Sequence, residues 1–301
     1  MGIGLVKDCI SGNDESTVPP LCRGPDSIVN VPDFVLPDKS CDCHFHIFDE
    51  PSPQVFPRTY TAPVSPLKDL VNLHGALGIT RSIVVQPSVY GTDNRTTLSA
   101  VTSTSATKAI AVVEDRVSFT ELTELSEAGV VGCRVNLLFQ SNAAPINLRA
   151  LSRKISEVDW HLQILADVST FPELEKTVRS LKVPVVFDHM GHMASQKSVK
   201  DPGFQQLLRL LGDGLAWVKL SGAYRVTDGY HPDYSDVDDI VDALVRTNPD
   251  RLVWGSDWPH PQIPHAMPND TQLLNLLSKW VPDTTLRNRI LVDNPEQLYG
   301  F

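Results

Sequence analysis

Eight short apolar runs, each followed by a polar or glycine-bearing turn and then by a segment of helical period, constrain this chain more than any other feature of its sequence. The runs are CDCHFHIFD at 41–49, TRSIVVQPS at 80–88, AIAVVED at 109–115, VVGCRVNLL at 130–138, HLQILADV at 161–168, VPVVFDHMG at 183–191, AWVKLSGA at 216–223 and RLVWGSDWP at 251–259. Helical segments are predicted between and after them at 66–77, 93–106, 118–128, 147–157, 171–181, 203–212, 236–247 and 270–281. Ser118 followed by Glu121 has the spacing of a capping box at the start of one of these helices.

Near-continuous apolar strands alternating with helices imply a parallel sheet covered on both faces. Eight such units in about 260 residues favour a single (β/α)8 TIM barrel over an open doubly wound sheet. The open sheet would place a glycine-rich phosphate turn after its first strand, whereas this strand ends in HFHIFD. Residues 1–39 are rich in proline and lack periodicity, so the organisation expected is an extended N-terminal arm (1–39) followed by one α/β barrel domain (40–301).

The 26 lysines and arginines against 36 aspartates and glutamates give a net charge of −10, which argues against nucleic acid or an anionic membrane as a partner. Five cysteines, an odd and small number, fit a reducing compartment. No apolar stretch approaches the roughly 20 residues of a membrane span, and the first residues lack a signal-peptide pattern. A soluble cytoplasmic protein is expected.

In a barrel the chemistry gathers where strands end, so polar residues there are the informative ones. His44 and His46, two apart on the first strand, share one face and could share one metal ion or one substrate, although such a pair can also be satisfied by backbone groups. The sixth run ends in Asp188, His189 and Met190, and the eighth in Ser256, Asp257 and Trp258. His189 and Asp257 complete a set of three histidines and one carboxylate suited to one divalent ion such as zinc. Arg134 on the fourth strand should point inward, and an inward guanidinium wants an anion, either a structural carboxylate or a substrate carboxylate or sulfonate.

These residues lead to a resemblance. HFH on the first strand, FDHMG on the sixth, VWGSDWPHP on the eighth, QPSVYGTDN after the second and GCRVNLL on the fourth resemble the amidohydrolase superfamily, within it the branch of 2-pyrone-4,6-dicarboxylate lactonase. The match runs from about residue 33 to the C-terminus. It implies a barrel hydrolase in which Asp257 is the general base that activates water, assisted by His189, while His44, His46, His189 and Asp257 bind one divalent metal, Zn²⁺ before others. The branch also contains enzymes that work without metal, in which such histidines polarise the carbonyl directly. A binuclear site is not expected, because the fourth strand offers Arg134 and Asn136 in place of an acid or lysine, and His161 stands at the wrong end of the fifth. The resemblance further implies substrate contacts from Arg134, Arg225, Ser88, Tyr90, Thr92 and Tyr60, with packing as the equal alternative for Tyr60 and a surface position as the alternative for Arg225. His192, His260 and His265 are read first as loop residues, and Trp254 and Trp258 as packing.

Two departures bear on the substrate. Where the dicarboxylate enzyme carries a second arginine after Arg-x-Asn, this chain reads LLFQSN with Gln140 and Ser141, and Leu165 stands where that enzyme has an active-site tyrosine. Each lost charged hydrogen bond would cost a doubly carboxylated pyrone roughly 1.5–3 kcal/mol. The expected substrate is therefore a small anionic unsaturated lactone of aromatic catabolism, 4-sulfomuconolactone (opened to maleylacetate and sulfite) or a similar muconolactone ahead of 2-pyrone-4,6-dicarboxylate. The alternatives are a metal-dependent decarboxylase of the same superfamily, a sugar lactonase, which would leave the arginines little to bind, and a noncatalytic barrel scaffold, against which the intact histidine and aspartate set weighs.

Overall fold

The computed structural model describes residues 18–50, 52–104, 106–138, 146–229, 231, 233–263 and 266–301. Eight strands, β1 Cys41–Phe45, β2 Arg81–Val85, β3 Thr107–Ala111, β4 Val130–Asn136, β5 His161–Leu165, β6 Val185–Phe187, β7 Ala216–Leu220 and β8 Leu252–Trp254, pair in sequence order with every ladder parallel. The sheet is a nearly closed barrel. Its seam between β1 and β8 is made just beyond the strands, where His46 N donates to Trp258 O at 2.7 Å and Asp257 N to His44 O at 2.7 Å.

Each expected helix is present within a few residues of its predicted ends, and Ser118 Oγ accepts from Glu121 N at 3.1 Å as the capping spacing requires. The third strand lies two residues earlier than the apolar run suggests. Its ladder stops at Ala111 because the Asn94 side chain binds both the N–H and the carbonyl of Val112 and so replaces a neighbouring strand. Two short helices, Thr284–Asn288 and Asn294–Tyr299, follow the last predicted one. The second of them brings Tyr299 against Cys41, Cys43, Ile83, Ile110, Val186, Trp217 and Val253, so the C-terminus plugs the barrel floor.

The larger apolar cluster fills the layer between sheet and helices. Val84, Cys133, Val135, Leu162, Ile164, Phe187, Val218, Leu220 and Trp254 pack outward there against Leu70, Leu73, Leu122, Leu151, Phe204, Leu207, Leu244 and Leu274. Alternation along each strand then turns Arg134, Gln163, Asp188 and Lys219 inward. The barrel axis above the floor is consequently polar and charged, which is where a small barrel can place chemistry.

No helix or strand precedes β1 among the described residues. Residues 18–39 run along the barrel, with Cys22 N donating to Thr61 O at 2.8 Å, Asn30 N to Thr271 Oγ1 at 3.1 Å and Asp33 N to Asn275 Oδ1 at 2.9 Å. No described helix is long and apolar enough to cross a membrane, and the described cysteines, Cys22, Cys41, Cys43 and Cys133, are all unpaired.

Candidate active site

The register of β1 against β2 shifts between Asp42 and Phe45, and both His44 and His46 face the axis above that irregularity. Asp42 faces the other way. It accepts from Ser256 N at 2.9 Å and Ser256 Oγ at 2.5 Å and lies 3.1 Å from His74 Nε2, which pins the end of β8 to β1. Gly255 makes this approach possible, since a Cβ there would stand 2.7 Å from His44 Cβ and 2.8 Å from His44 N.

The structure brings His44, His46, His189 and Asp257 together. Asp257 Oδ1 lies 3.7 Å from His44 Nε2 and 3.7 Å from His46 Nε2, the two imidazole nitrogens are 3.4 Å apart, and His189 Nε2 is 3.8 Å from Asp257 Oδ2. Asp257 and His189 both have positive φ, 63° and 49°, so each projects from a sharp turn at the strand end rather than from the ladder. Gly222, at φ 61°, leaves room for the His189 ring, because a Cβ there would lie 2.9 Å from Nδ1. His189 Nδ1 is in turn 2.9 Å from Ser221 Oγ.

The two oxygens of Asp257 have different environments. Oδ2 accepts from Tyr224 OH at 2.6 Å and from Arg225 Nε at 2.5 Å, whereas Oδ1 is buried without a hydrogen bond. Burial alone would raise this carboxyl's pKa, but the charge of the Arg225 guanidinium opposes it, and the group is held well below the usual carboxylate range. Burial depresses His44, His46 and His189 below the ordinary imidazole value, His46 and His189 strongly. Neutral imidazoles therefore face an ionised carboxylate.

This donor set fits a divalent ion. Tetrahedral zinc with bonds of about 2.0–2.1 Å to nitrogen and oxygen needs ligand atoms about 3.3 Å apart, close to the spacing of the His44, His46 and Asp257 atoms. His46 Nδ1 lies 2.7 Å from Val85 O and must donate to it, which leaves Nε2 with a free lone pair as ligation requires. His44, Asp188 and His189 form a second close group.

A narrow cavity lies above these residues and is lined by His46, Tyr60, Ser88, Arg134, Leu165 and Arg225 among others. Arg134 therefore faces the cavity as expected, but its Nε also donates to Asp188 Oδ2 at 3.0 Å. Arg225 lines the cavity too, while its Nε is held by Asp257 and its Nη2 donates to Pro261 O at 3.2 Å. Tyr60 and Ser88 are at the wall, and burial lifts the Tyr60 phenol to about 12.

Tyr90 and Thr92 do not belong with them. The turn Ser88–Tyr90 swings Tyr90 into an apolar cluster with Phe48, Tyr60 and Val89, and Thr92 is exposed. His192 lines the cavity rather than a loop alone. His260 is fully buried, 3.0 Å from Tyr224 OH and 3.1 Å from Asp270 Oδ1, so it supports the tyrosine that holds Asp257. His161 sits at the floor beside Tyr299. Gln140, Ser141 and His265 lie outside the described residues.

Sequence reasoning missed Lys219 and Tyr224. Lys219 had a signal, a lysine inside the otherwise apolar strand AWVKL, and it is fully buried. Tyr224 had none beyond its place next to Arg225.

Comparison with known proteins agrees with this geometry. The amidohydrolase family model matches residues 41–301. The chain belongs to the amidohydrolase family. This amidohydrolase is 36% identical over 291 residues to a 4-sulfomuconolactone hydrolase of Hydrogenophaga intermedia, covering 94% of this chain and 96% of the relative. It is 32% identical over 281 residues to a 2-pyrone-4,6-dicarboxylate hydrolase of Comamonas testosteroni, covering 89% and 92% of the two chains. Among solved structures, a probable 2-pyrone-4,6-dicarboxylic acid hydrolase of Acinetobacter baumannii with citric acid bound superposes with a TM-score of 0.78 at 28% identity, over 87% of this chain and 100% of the other.

Proposed function

We propose that this amidohydrolase opens a small anionic unsaturated lactone of aromatic catabolism by attack of water on the ring carbonyl, with 4-sulfomuconolactone or a similar muconolactone as substrate. The observation that carries this reading is Asp257 Oδ1, a buried ionised oxygen without a hydrogen bond, facing His44 and His46 beneath a cavity walled by Arg134.

Asp257 acts as the general base. Arg225 and Tyr224 hold its Oδ2, so Oδ1 is the oxygen that takes the proton from water as the new C–O bond forms at the carbonyl carbon. The ring C–O bond then breaks, and the proton returns from Asp257 to the departing oxygen. His189, fixed through Ser221, lies close enough to the same carboxylate to orient the water or the carbonyl oxygen. His44, His46 and Asp257, with His189 beside them, would hold a divalent ion, zinc before others, which would supply Lewis-acid polarisation of the carbonyl. Arg134 anchors the anionic group of the lactone from the wall. Leu165 in the cavity wall, where a tyrosine hydroxyl would otherwise meet a carboxylated pyrone, and the 36% identical sulfomuconolactone enzyme favour the muconolactone type.

The test combines metal analysis of the purified protein with turnover of lactones bearing one, two or no anionic groups. The expected result is one zinc per chain and fastest hydrolysis of 4-sulfomuconolactone. A neutral lactone as best substrate would remove the role given to Arg134.

A further inference from the structure

Below the residues of the proposed reaction, the Lys219 ammonium is enclosed by three acceptors. Its Nζ lies 2.8 Å from Gln163 Oε1, 2.9 Å from Cys43 O and 3.2 Å from His44 Nδ1. An ammonium has three N–H donors and no acceptor, so when Lys219 makes all three of these contacts His44 Nδ1 is the acceptor of the third. The proton of neutral His44 is then on Nε2. Its partner is at hand, because His46 gives its own proton to Val85 O and presents a bare Nε2 3.4 Å away. The chain from Lys219 through His44 to His46 is internally consistent.

That arrangement opposes ligation through His44 Nε2. A ligating imidazole carries its proton on the other nitrogen and donates it to an acceptor. The same Nδ1 has such an acceptor on its other side, since Asp188 Oδ1 lies 3.3 Å from it, is fully buried and makes no hydrogen bond. One ring nitrogen thus faces a donor, Lys219, and an unused acceptor, Asp188.

We infer that Lys219 is a positioning residue that holds His44 in its non-ligating tautomer and so sets a threshold for divalent-metal uptake, with Asp188 Oδ1 as the acceptor of the ligating form. On uptake of the ion one proton leaves Nε2 and one is gained at Nδ1, so the charge of His44 does not change. Lys219 keeps its bonds to Cys43 and Gln163, and its third N–H has Asp188 Oδ1, 3.6 Å away, as the remaining acceptor. This inference rests on the reading of His44, His46 and Asp257 as the metal site.

The test is made first on the wild-type, metal-free protein labelled with ¹⁵N-histidine, in which long-range ¹H–¹⁵N correlations report the tautomer of each ring. His44 is expected to show a protonated Nε2 and a bare Nδ1; a proton on Nδ1 overturns the inference without any variant having to fold. Lys219→Met is then expected to move that proton to Nδ1 and to tighten Zn²⁺ binding about 10-fold in competition with a chromophoric chelator, the scale on which partners of ligating histidines act. Unchanged or weaker Zn²⁺ affinity in a folded Lys219→Met protein overturns it as well. If the wild type takes up no Zn²⁺, the metal reading fails by itself, and the tautomer shift between wild type and Lys219→Met still decides the role of Lys219.

Discussion

Arg225 Nε and Asp257 Oδ2 are 2.5 Å apart, and this contact divides the labour of the carboxylate: one oxygen is anchored by Arg225 and Tyr224, the other is left open toward His44 and His46. An arginine expected to grip substrate thus has an inward duty, to keep the proposed base ionised and aimed.

Replacing the base tests the reaction directly. Asp257→Asn keeps the shape but cannot accept a proton from water, and kcat for lactone opening is expected to fall by a factor on the order of 10²–10⁴. Steady-state turnover of 4-sulfomuconolactone measures it, and near-wild-type activity would end the assignment.

Arg134→Gln separates anion recognition from chemistry. Losing the cavity-facing guanidinium should raise KM for an anionic lactone by a factor of about 10–100, corresponding to roughly 1.5–3 kcal/mol for a charged hydrogen bond. KM for a neutral lactone should change far less. Equal losses for both substrates would assign Arg134 to holding Asp188 alone.

Gly255→Ala should be costly for a change of one methyl group. The new Cβ would meet His44 Cβ at 2.7 Å and His44 N at 2.8 Å, backbone that cannot swing aside. A destabilisation of about 1–3 kcal/mol is expected in denaturant unfolding, together with lost activity from a displaced His44. A variant with unaltered stability and turnover would contradict the tight packing of β8 on β1.

His161, buried at the barrel floor, gives a pH dependence away from the site. Burial, with the charge of Lys219 adding to it, pushes the imidazole down to about 3 from the ordinary 6.5. Between those values the unfolded chain binds the proton and the folded one does not, so stability is full above about pH 6.5 and falls as pH drops toward 3. The slope from this group is at most about 1.4 kcal/mol per pH unit. Urea unfolding between pH 7 and 4 should show a shallower decline in His161→Gln than in the wild type, and parallel curves would refute the contribution.

The barrel was legible because its signals are local: each strand is apolar in sequence, and each helix carries its own period, with a side-chain cap at Ser118 in one of them. His44, His46, His189 and Asp257 were legible because strand ends converge in a barrel, so linear position maps onto one mouth. Tyr90 and Thr92 do not line the cavity with Ser88 because they follow it around the turn Ser88–Tyr90, and no alternation rule governs a turn of that kind. Lys219 and Tyr224 were missed for a different reason. Their importance lies in partners on other strands, His44 and Asp257, which no spacing along the chain reveals.

The seam between β1 and β8 has a consequence for how this protein fails. Two backbone hydrogen bonds that join the ends of the sheet are donated by the amides of His46 and Asp257, beside the Asp42–Ser256 contacts, so residues of the proposed site are themselves part of the clasp of the barrel. Disorder at the site and parting of the cylinder are then one event. Heat or denaturant should extinguish turnover and circular dichroism along a single curve, and the amide hydrogens of His46 and Asp257 should exchange with deuterium as slowly as those of the deepest strands.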